Sequence, residues 1–228
     1  MKRLAASKAC ARHAATLGLS LAFCLLPRVE AVAQSATHPS LNAQLLVAAR
    51  QNDLVEVRSM LDRGAAVNSR NRLGKTALLL ACEKGNEQLA EMLIAAGADI
   101  DKPSLEGVTP LMAAAYDGHA DLVQRLLKAG AATEPIDRMH KSAAVYAAGQ
   151  GHAAALQALL DAGLDVNTAY EHDLTLLMWA AGQGHAGVAR MLLARGARTD
   201  LRDDRGLTAL EIARDAGHDM PALAGGSR

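Results

Sequence analysis

From Asn71 onward one hydrophobic rhythm recurs along the chain. Leu78, Ala81 and Cys82 fall at i, i+3 and i+4, and after Gly85 the pair Leu89 and Leu93 repeats an i, i+4 spacing before Gly97. Each set marks one face of a helix. Two short antiparallel helices are predicted, with Gly85 reversing the chain between them and Gly97 closing the second with a left-handed residue. The clearest copy is Glu106-Gly-Val-Thr-Pro-Leu-Met-Ala-Ala-Ala-Tyr-Asp-Gly-His119, followed by Leu122, Val123, Leu126, Leu127 and Gly130-Ala131. A shift of 33 residues carries Gly130 onto Gly97 and Gly64 upstream and onto Gly163 and Gly196 downstream, with no insertion or deletion. Such a period implies a stack of like units, each too small to hold a core alone.

The Thr-Pro-Leu-x-x-Ala-Ala-x-x-Gly-His pattern, with its Leu-Leu pair and Gly-Ala ending, resembles the ankyrin repeat over residues 41–218. The resemblance implies an all-α solenoid of about six units, each a helix-turn-helix joined to the next by a short β-hairpin loop, with the end units as caps. The units span 41–70, 71–103, 104–136, 137–169, 170–202 and 203–218, and 219–228 reads as a carboxy-terminal tail. In the first unit Asn52-Asp53 replaces Gly-His, consistent with a cap whose outer face is polar. His140 and Asp173 take the hairpin position held elsewhere by Gly74, Gly107 and Gly206, where a positive φ is expected. The family's His after Thr-Pro-Leu is replaced by Leu79, Met112, Val145 and Met178, which exchanges a polar tie for apolar packing.

The amino terminus has a different character. Lys2, Arg3, Lys8 and Arg12 precede an apolar run from Ala14 to Leu26, and Ala31-Val32-Ala33 offers a small-x-small cleavage pattern before Gln34. Residues 1–33 therefore read as a cleaved export signal and 34–40 as a flexible lead, with no membrane span after cleavage. The 24 basic and 24 acidic residues balance in the full chain, but the leader holds five basic residues against Glu30. Without it 19 basic and 23 acidic residues remain, a net charge of −4. That charge, with Tyr116, Tyr146, Tyr170 and Trp179 as the remaining aromatics, argues against nucleic acid as a partner. Cys82 is the one cysteine left, so no internal disulfide is expected. It reads as a packed helix contact or a redox-sensing thiol, two settings that a thiol reagent separates.

Chemistry is sparse. Calcium loops, phosphate-cradling glycine loops, paired CxxC motifs and a nucleophile elbow are absent, so neither enzyme activity nor a cofactor is expected. His119, His152, His185 and His218 stand one unit apart, too far for a shared metal, and each is expected to bond loop backbone within its own turn. No metal site is expected.

What the family resemblance implies is binding through hairpin tips and the exposed side of each first helix. Position by position, the tips give Arg70, Arg72, Leu73 and Lys75, then Leu105, Glu106 and Val108 beside Pro103, then Arg138, Met139 and Lys141, then Glu171, His172 and Leu174. The helix positions give Glu83 and Lys84, Tyr116 and Asp117, Gln150 after Gly149, and Gln183 after Gly182. Leu73, Leu105, Val108, Met139 and Leu174 are partner anchors or hairpin-to-hairpin packing, and Tyr116 is an aromatic anchor. Ala-Ala-Gly-Gln-Gly-His at 147–152 and 180–185 reads as a shallow recess or as a plain duplication. Tyr146 and Trp179, at equivalent positions, read as inter-repeat core.

The implied role is that of a monomeric, exported, non-enzymatic protein-binding module. It is an adaptor or stabiliser of an envelope protein, or an inhibitor or immunity protein against a toxin acting in the periplasm. A host-directed effector is a third reading.

Overall fold

The computed structural model describes residues 40–224, which hold twelve α-helices, one 3-10 turn at Glu171–Asp173 and no strand. The leader over 1–33, the lead up to 39 and the tail over 225–228 lie outside the described residues. The first unit is α1 (Leu41–Gln51) and α2 (Leu54–Asp62), and the second is α3 (Ala77–Glu83) and α4 (Glu87–Ala95). The third is α5 (Pro110–Tyr116) and α6 (Ala120–Lys128), and the fourth is α7 (Ala143–Gly149) and α8 (Ala153–Asp161). The fifth is α9 (Leu176–Gly182) and α10 (Ala186–Ala194), and the sixth is α11 (Ala209–Asp215) and α12 (Pro221–Ala224).

First helices stack on one another from α1 to α11, each also packing against the second helix of its own unit. Alanine makes the close stacking possible. Ala81, Ala114, Ala115, Ala147, Ala148, Ala180 and Ala181 are wholly buried, and Cys82 occupies the same slot. Burial, with Glu83 adding to it, pushes the Cys82 thiol well above its usual range, which is the setting of a packing contact rather than a reactive thiolate. Second helices contribute the large leucines, among them Leu89, Leu93, Leu122, Leu126, Leu156 and Leu159, all at 1% exposure or less.

Each first helix after α1 begins at a hydroxyl, buried in all but the half-buried Thr208 of the sixth unit. Thr76, Thr109, Ser142, Thr175 and Thr208 accept the backbone N–H three residues on, at 3.2 to 3.4 Å. In the sixth unit Glu211 returns the favour, accepting the Thr208 N–H at 2.7 Å, a complete capping box. At the same position in α5 and α9 the thioethers of Met112 and Met178 accept the Thr109 and Thr175 N–H at 3.4 Å. The expected loss of the polar tie is thus partial, because sulfur keeps a weak acceptor where the family has an imidazole.

The four histidines require a correction. His119, His152 and His185 are the N-cap residues of α6, α8 and α10, yet none bonds its own helix through the side chain. Their rings reach back one unit instead. His185 Nε2 meets the Gly149 carbonyl oxygen at 2.9 Å, and the ring of His152 lies against Gly118, where a Cβ would come within 2.5 Å of Nδ1. Gly118 is at φ +75°, so its lack of a side chain serves both the reversal of its own unit and the seat of the next unit's ring. Gly85, Gly151 and Gly184 receive His119, His185 and His218 in the same way.

The connections between units are tight loops rather than ladders. Asn71 Oδ1 accepts the Leu73 and Lys75 N–H, and Asp137 Oδ1 accepts those of Met139 and Lys141, at 2.8 to 3.0 Å. Neighbouring tips join by single backbone bonds, Leu105 N–H to Leu73 O, Arg138 N–H to Glu106 O and Asp204 N–H to His172 O. His140 and Asp173 do take positive φ, at 54° and 57°, and His172 joins them at 60°. No backbone bond joins the fourth and fifth tips; there His140 Nδ1 meets Glu171 Oε1 at 2.6 Å.

Both ends differ from the expected caps in detail. Asn52 takes the left-handed conformation in place of glycine and Asp53 caps α2, but Val47 and Val55 interrupt the polar outer face at 45% and 82% exposure. At the other end the stretch read as a tail from 219 forms a short helix and packs as far as 224, with Met220 and Leu223 buried. The sixth loop is closed by Asp203, which accepts the Arg205 and Leu207 N–H and pairs with the Arg205 guanidinium at 2.7 Å. Burial alone would raise this carboxyl; the Leu207 N–H and Arg205 outweigh it and hold it below its usual range. A depressed carboxyl stabilises the fold above its unfolded value, about 3.9, and that contribution disappears as pH falls through the folded value. Urea midpoints of Asp203→Asn and the natural chain should therefore differ most at pH 6 and draw together as pH falls from about 3.9 through the lower folded value. A difference that stays constant with pH would leave the carboxylate without that role.

Candidate protein interface

The groove is floored by a column of residues one unit apart: Leu80, Ala113, Tyr146 and Trp179, each on the first helix of its unit. Each lines a recess, and the tips stand over them. The nominated residues fall into three recesses and an outer rim.

The middle recess, about 330 Å³, brings Lys75, Glu83, Val108, Tyr116 and Asp117 together with Met112 and Tyr146. Lys75 and Glu83 form an ion pair at 2.5 Å across its wall. Val108 is half-buried against the core, and Tyr116, 46% exposed, meets Tyr146 edge-on at 5.3 Å and 84°. A second recess of about 310 Å³ lies on the other side of Tyr146 and gathers Lys141, Gln150 and Gln183 around Trp179 and His185. The Gly-Gln-Gly-His repeat therefore does form a hollow. A Cβ on Gly149 would reach ordinary contact with the Trp179 ring, so the missing side chain deepens it. The third recess, about 380 Å³, holds Arg70 and Arg72 beside Arg50, Val47 and Leu80 at the amino-terminal end.

Tyr146 and Trp179 are corrected from core to groove. Both are half-buried, and Tyr146 donates its hydroxyl to Asp137 Oδ2. Burial first, and then that bond, raises its phenol, so the ring keeps its proton and acts as a donor. Lys141 Nζ lies over both rings, 5.7 Å from the Tyr146 centroid and 5.2 Å from that of Trp179. Sequence reasoning also missed Arg50 and Val47.

The rim holds the rest. Leu73, Leu105 and Met139 are 60%, 53% and 63% exposed at successive tips, so they are free of hairpin-to-hairpin burial, whereas Leu174 packs against the core. Glu106 and Arg138 face each other at 3.7 Å, Glu171 holds His140, and His172 Nδ1 meets Asp204 Oδ2 at 2.8 Å. Lys84 stands exposed at the end of α3. These exposed pairs contribute little stability, about 0–1 kcal/mol each. Among the described residues no three His, Cys, Asp or Glu side chains converge to hold a metal, and no helix is long and apolar enough to cross a membrane.

The repeated unit and its groove agree with sequence comparison. Models of ankyrin repeats match residues 12–104, 97–170 and 159–213, and the chain belongs to the ankyrin-repeat family. It is a repeat module for protein–protein interaction, a class that is generally non-enzymatic. It is 46% identical to the mitochondrial disaggregase of Bos taurus over 61 residues, 27% of this chain and 9% of that protein. The Homo sapiens disaggregase is 44% identical over 54 residues, 24% of this chain and 8% of the relative. A probable E3 ubiquitin-protein ligase of Oryza sativa subsp. japonica is 40% identical over 70 residues, 31% of this chain and 14% of the relative. The matched stretches thus cover at most 14% of these relatives.

Proposed function

We propose that this chain is an exported binding module of the periplasm that serves as an adaptor or stabiliser of another envelope protein. The observation that carries the binding role is the run of exposed apolar tips, Leu73, Leu105 and Met139, standing over a groove that already holds three aromatic rings. Apolar groups of that size standing in water at successive units mark a contact surface. Export rests on the charge and apolar pattern of residues 1–33 and its small-residue cleavage pattern. The adaptor role rests on that apolar surface, of the kind through which one protein holds another.

Affinity capture from the periplasm followed by mass spectrometry tests the reading, with Arg138→Glu, Lys141→Glu and Tyr116→Ala combined as the comparison. The natural chain should enrich one envelope protein at least tenfold over the triple variant. Equal capture by both chains would place the interface elsewhere. Sequencing of the mature chain should start at Gln34; a chain that retains Met1 in the cytosol would overturn export.

A further inference from the structure

The recess between Tyr146 and Trp179 has a surplus of donors. Lys141 Nζ lies within 6 Å of both ring centroids and forms no ion pair among the described residues. The nearest carboxylate in sequence, Asp137, is held by two backbone N–H groups on Oδ1 and by the Tyr146 hydroxyl on Oδ2, and makes no ion pair with Lys141. Trp179 Nε1 is buried with no acceptor, and an indole N–H can only donate. The Gly149 carbonyl, an acceptor beside the recess, is already engaged by His185. Lys141 and the Gln150 and Gln183 amides therefore face the recess as donors, and Lys141 has no carboxylate partner there.

We propose that this recess recognises an aspartate or glutamate side chain on an exposed segment of the protein partner. The inference rests on the concave face being the binding surface and names the chemistry it selects. A carboxylate supplies an acceptor for Lys141 above the two rings, with the Gln150 and Gln183 amides that line the same recess as further donors. A cationic ligand is disfavoured, since Lys141 already occupies the ring faces that such a ligand would use. Phosphate polymers are disfavoured by the single cation in the recess and by a net charge that is zero over the full chain and −4 without residues 1–33. Asp117, in the middle recess beyond Tyr146, repels a second acid there and so fixes the register of the segment.

The test uses a displayed library of random linear peptides selected on the full chain, followed by titration of the selected peptides. Trp179 is the only tryptophan in the sequence, so indole fluorescence reports directly from the recess. Selected peptides should share an Asp or Glu at one position and perturb Trp179 emission. Changing that acid to its amide should weaken binding about tenfold to a hundredfold, the range of a charge-assisted hydrogen bond. Lys141→Gln should produce a similar loss, Lys141→Arg should retain the preference, and Lys141→Glu should turn selection toward Lys or Arg. Far-UV circular dichroism of each variant separates lost recognition from lost folding. Peptides without a shared acid, or with binding indifferent to Lys141→Gln, would overturn the proposal. If such peptides still lose binding when Arg138→Glu and Tyr116→Ala are combined, the concave face stands and only the carboxylate site falls. Failure to enrich any peptide on the natural chain over that double variant would remove both.

Discussion

Gly118→Ala is expected to lower the stability of the array by roughly 2–4 kcal/mol, from a left-handed backbone and an occupied seat together. The residue sits at φ +75°, where a Cβ costs about 1–2 kcal/mol in an L-residue. The added carbon would also lie 2.5 Å from Nδ1 and 2.7 Å from Cε1 and Cγ of His152, so the ring must leave its place or the units must part. Gly130→Ala is the control. It has φ +92° but nothing within 4 Å of the new carbon, so only the backbone part should be lost. At about 2–4 °C per kcal/mol for a domain of this size, the thermal midpoint should fall by roughly 5–15 °C for Gly118→Ala and by about half that for Gly130→Ala. Equal losses in the two variants would mean that the histidine seat adds nothing to the junction.

That seat shows where a periodic sequence stops being readable. A 33-residue spacing identifies equivalent positions but does not say whether a side chain serves its own unit or the one before. His152 is adjacent in sequence to the turn it was expected to bond, yet its ring lies against the turn of the preceding unit. The helix pairs and the small-residue face of each first helix were legible because each depends on local spacing alone. Positive φ at His140 and Asp173 was legible for the same reason, as they share a register with glycines.

The groove was less legible. Tyr146 precedes Ala147 and Ala148, and Trp179 precedes Ala180 and Ala181, so large rings beside a buried pair suggested core. A helix turns about 100° per residue, however, and one step from a narrow alanine face is enough to reach the groove. Size misled where angle decided. Sequence did not tell which apolar members of the tips stay exposed. Leu73, Leu105 and Met139 do, while Val108 and Leu174, both nearer the start of the following helix, fold back on the core.

Leu126→Ala should cost about 2–5 kcal/mol and split the unfolding of the array into two steps. Leu126 is wholly buried on α6, and α6 packs against α8 across the junction of the third and fourth units. That junction depends on helix packing more than its neighbours do, because a polar rung found elsewhere is missing. Asn68 Oδ1 accepts the Asp99 N–H at 2.8 Å, Asp101 Oδ1 accepts that of Ala132 at 3.0 Å, and Asn167 Oδ1 accepts that of Arg198 at 2.8 Å. Glu134 holds the equivalent position, but its carboxylate takes the Thr133 hydroxyl, and no such bond reaches Asp165. In a linear array stability is a sum of unit and nearest-neighbour terms, so weakening one interface uncouples the two sides. Urea unfolding followed by Trp179 fluorescence, which reports the fifth unit, and by circular dichroism, which reports all helices, should coincide for the natural chain and separate for Leu126→Ala. Glu134→Asn should supply the missing rung and recover about 1 kcal/mol in that background. Coincident transitions in Leu126→Ala would show the array to be coupled through the first helices alone, and no recovery from Glu134→Asn would show that the rung is not what that junction lacks.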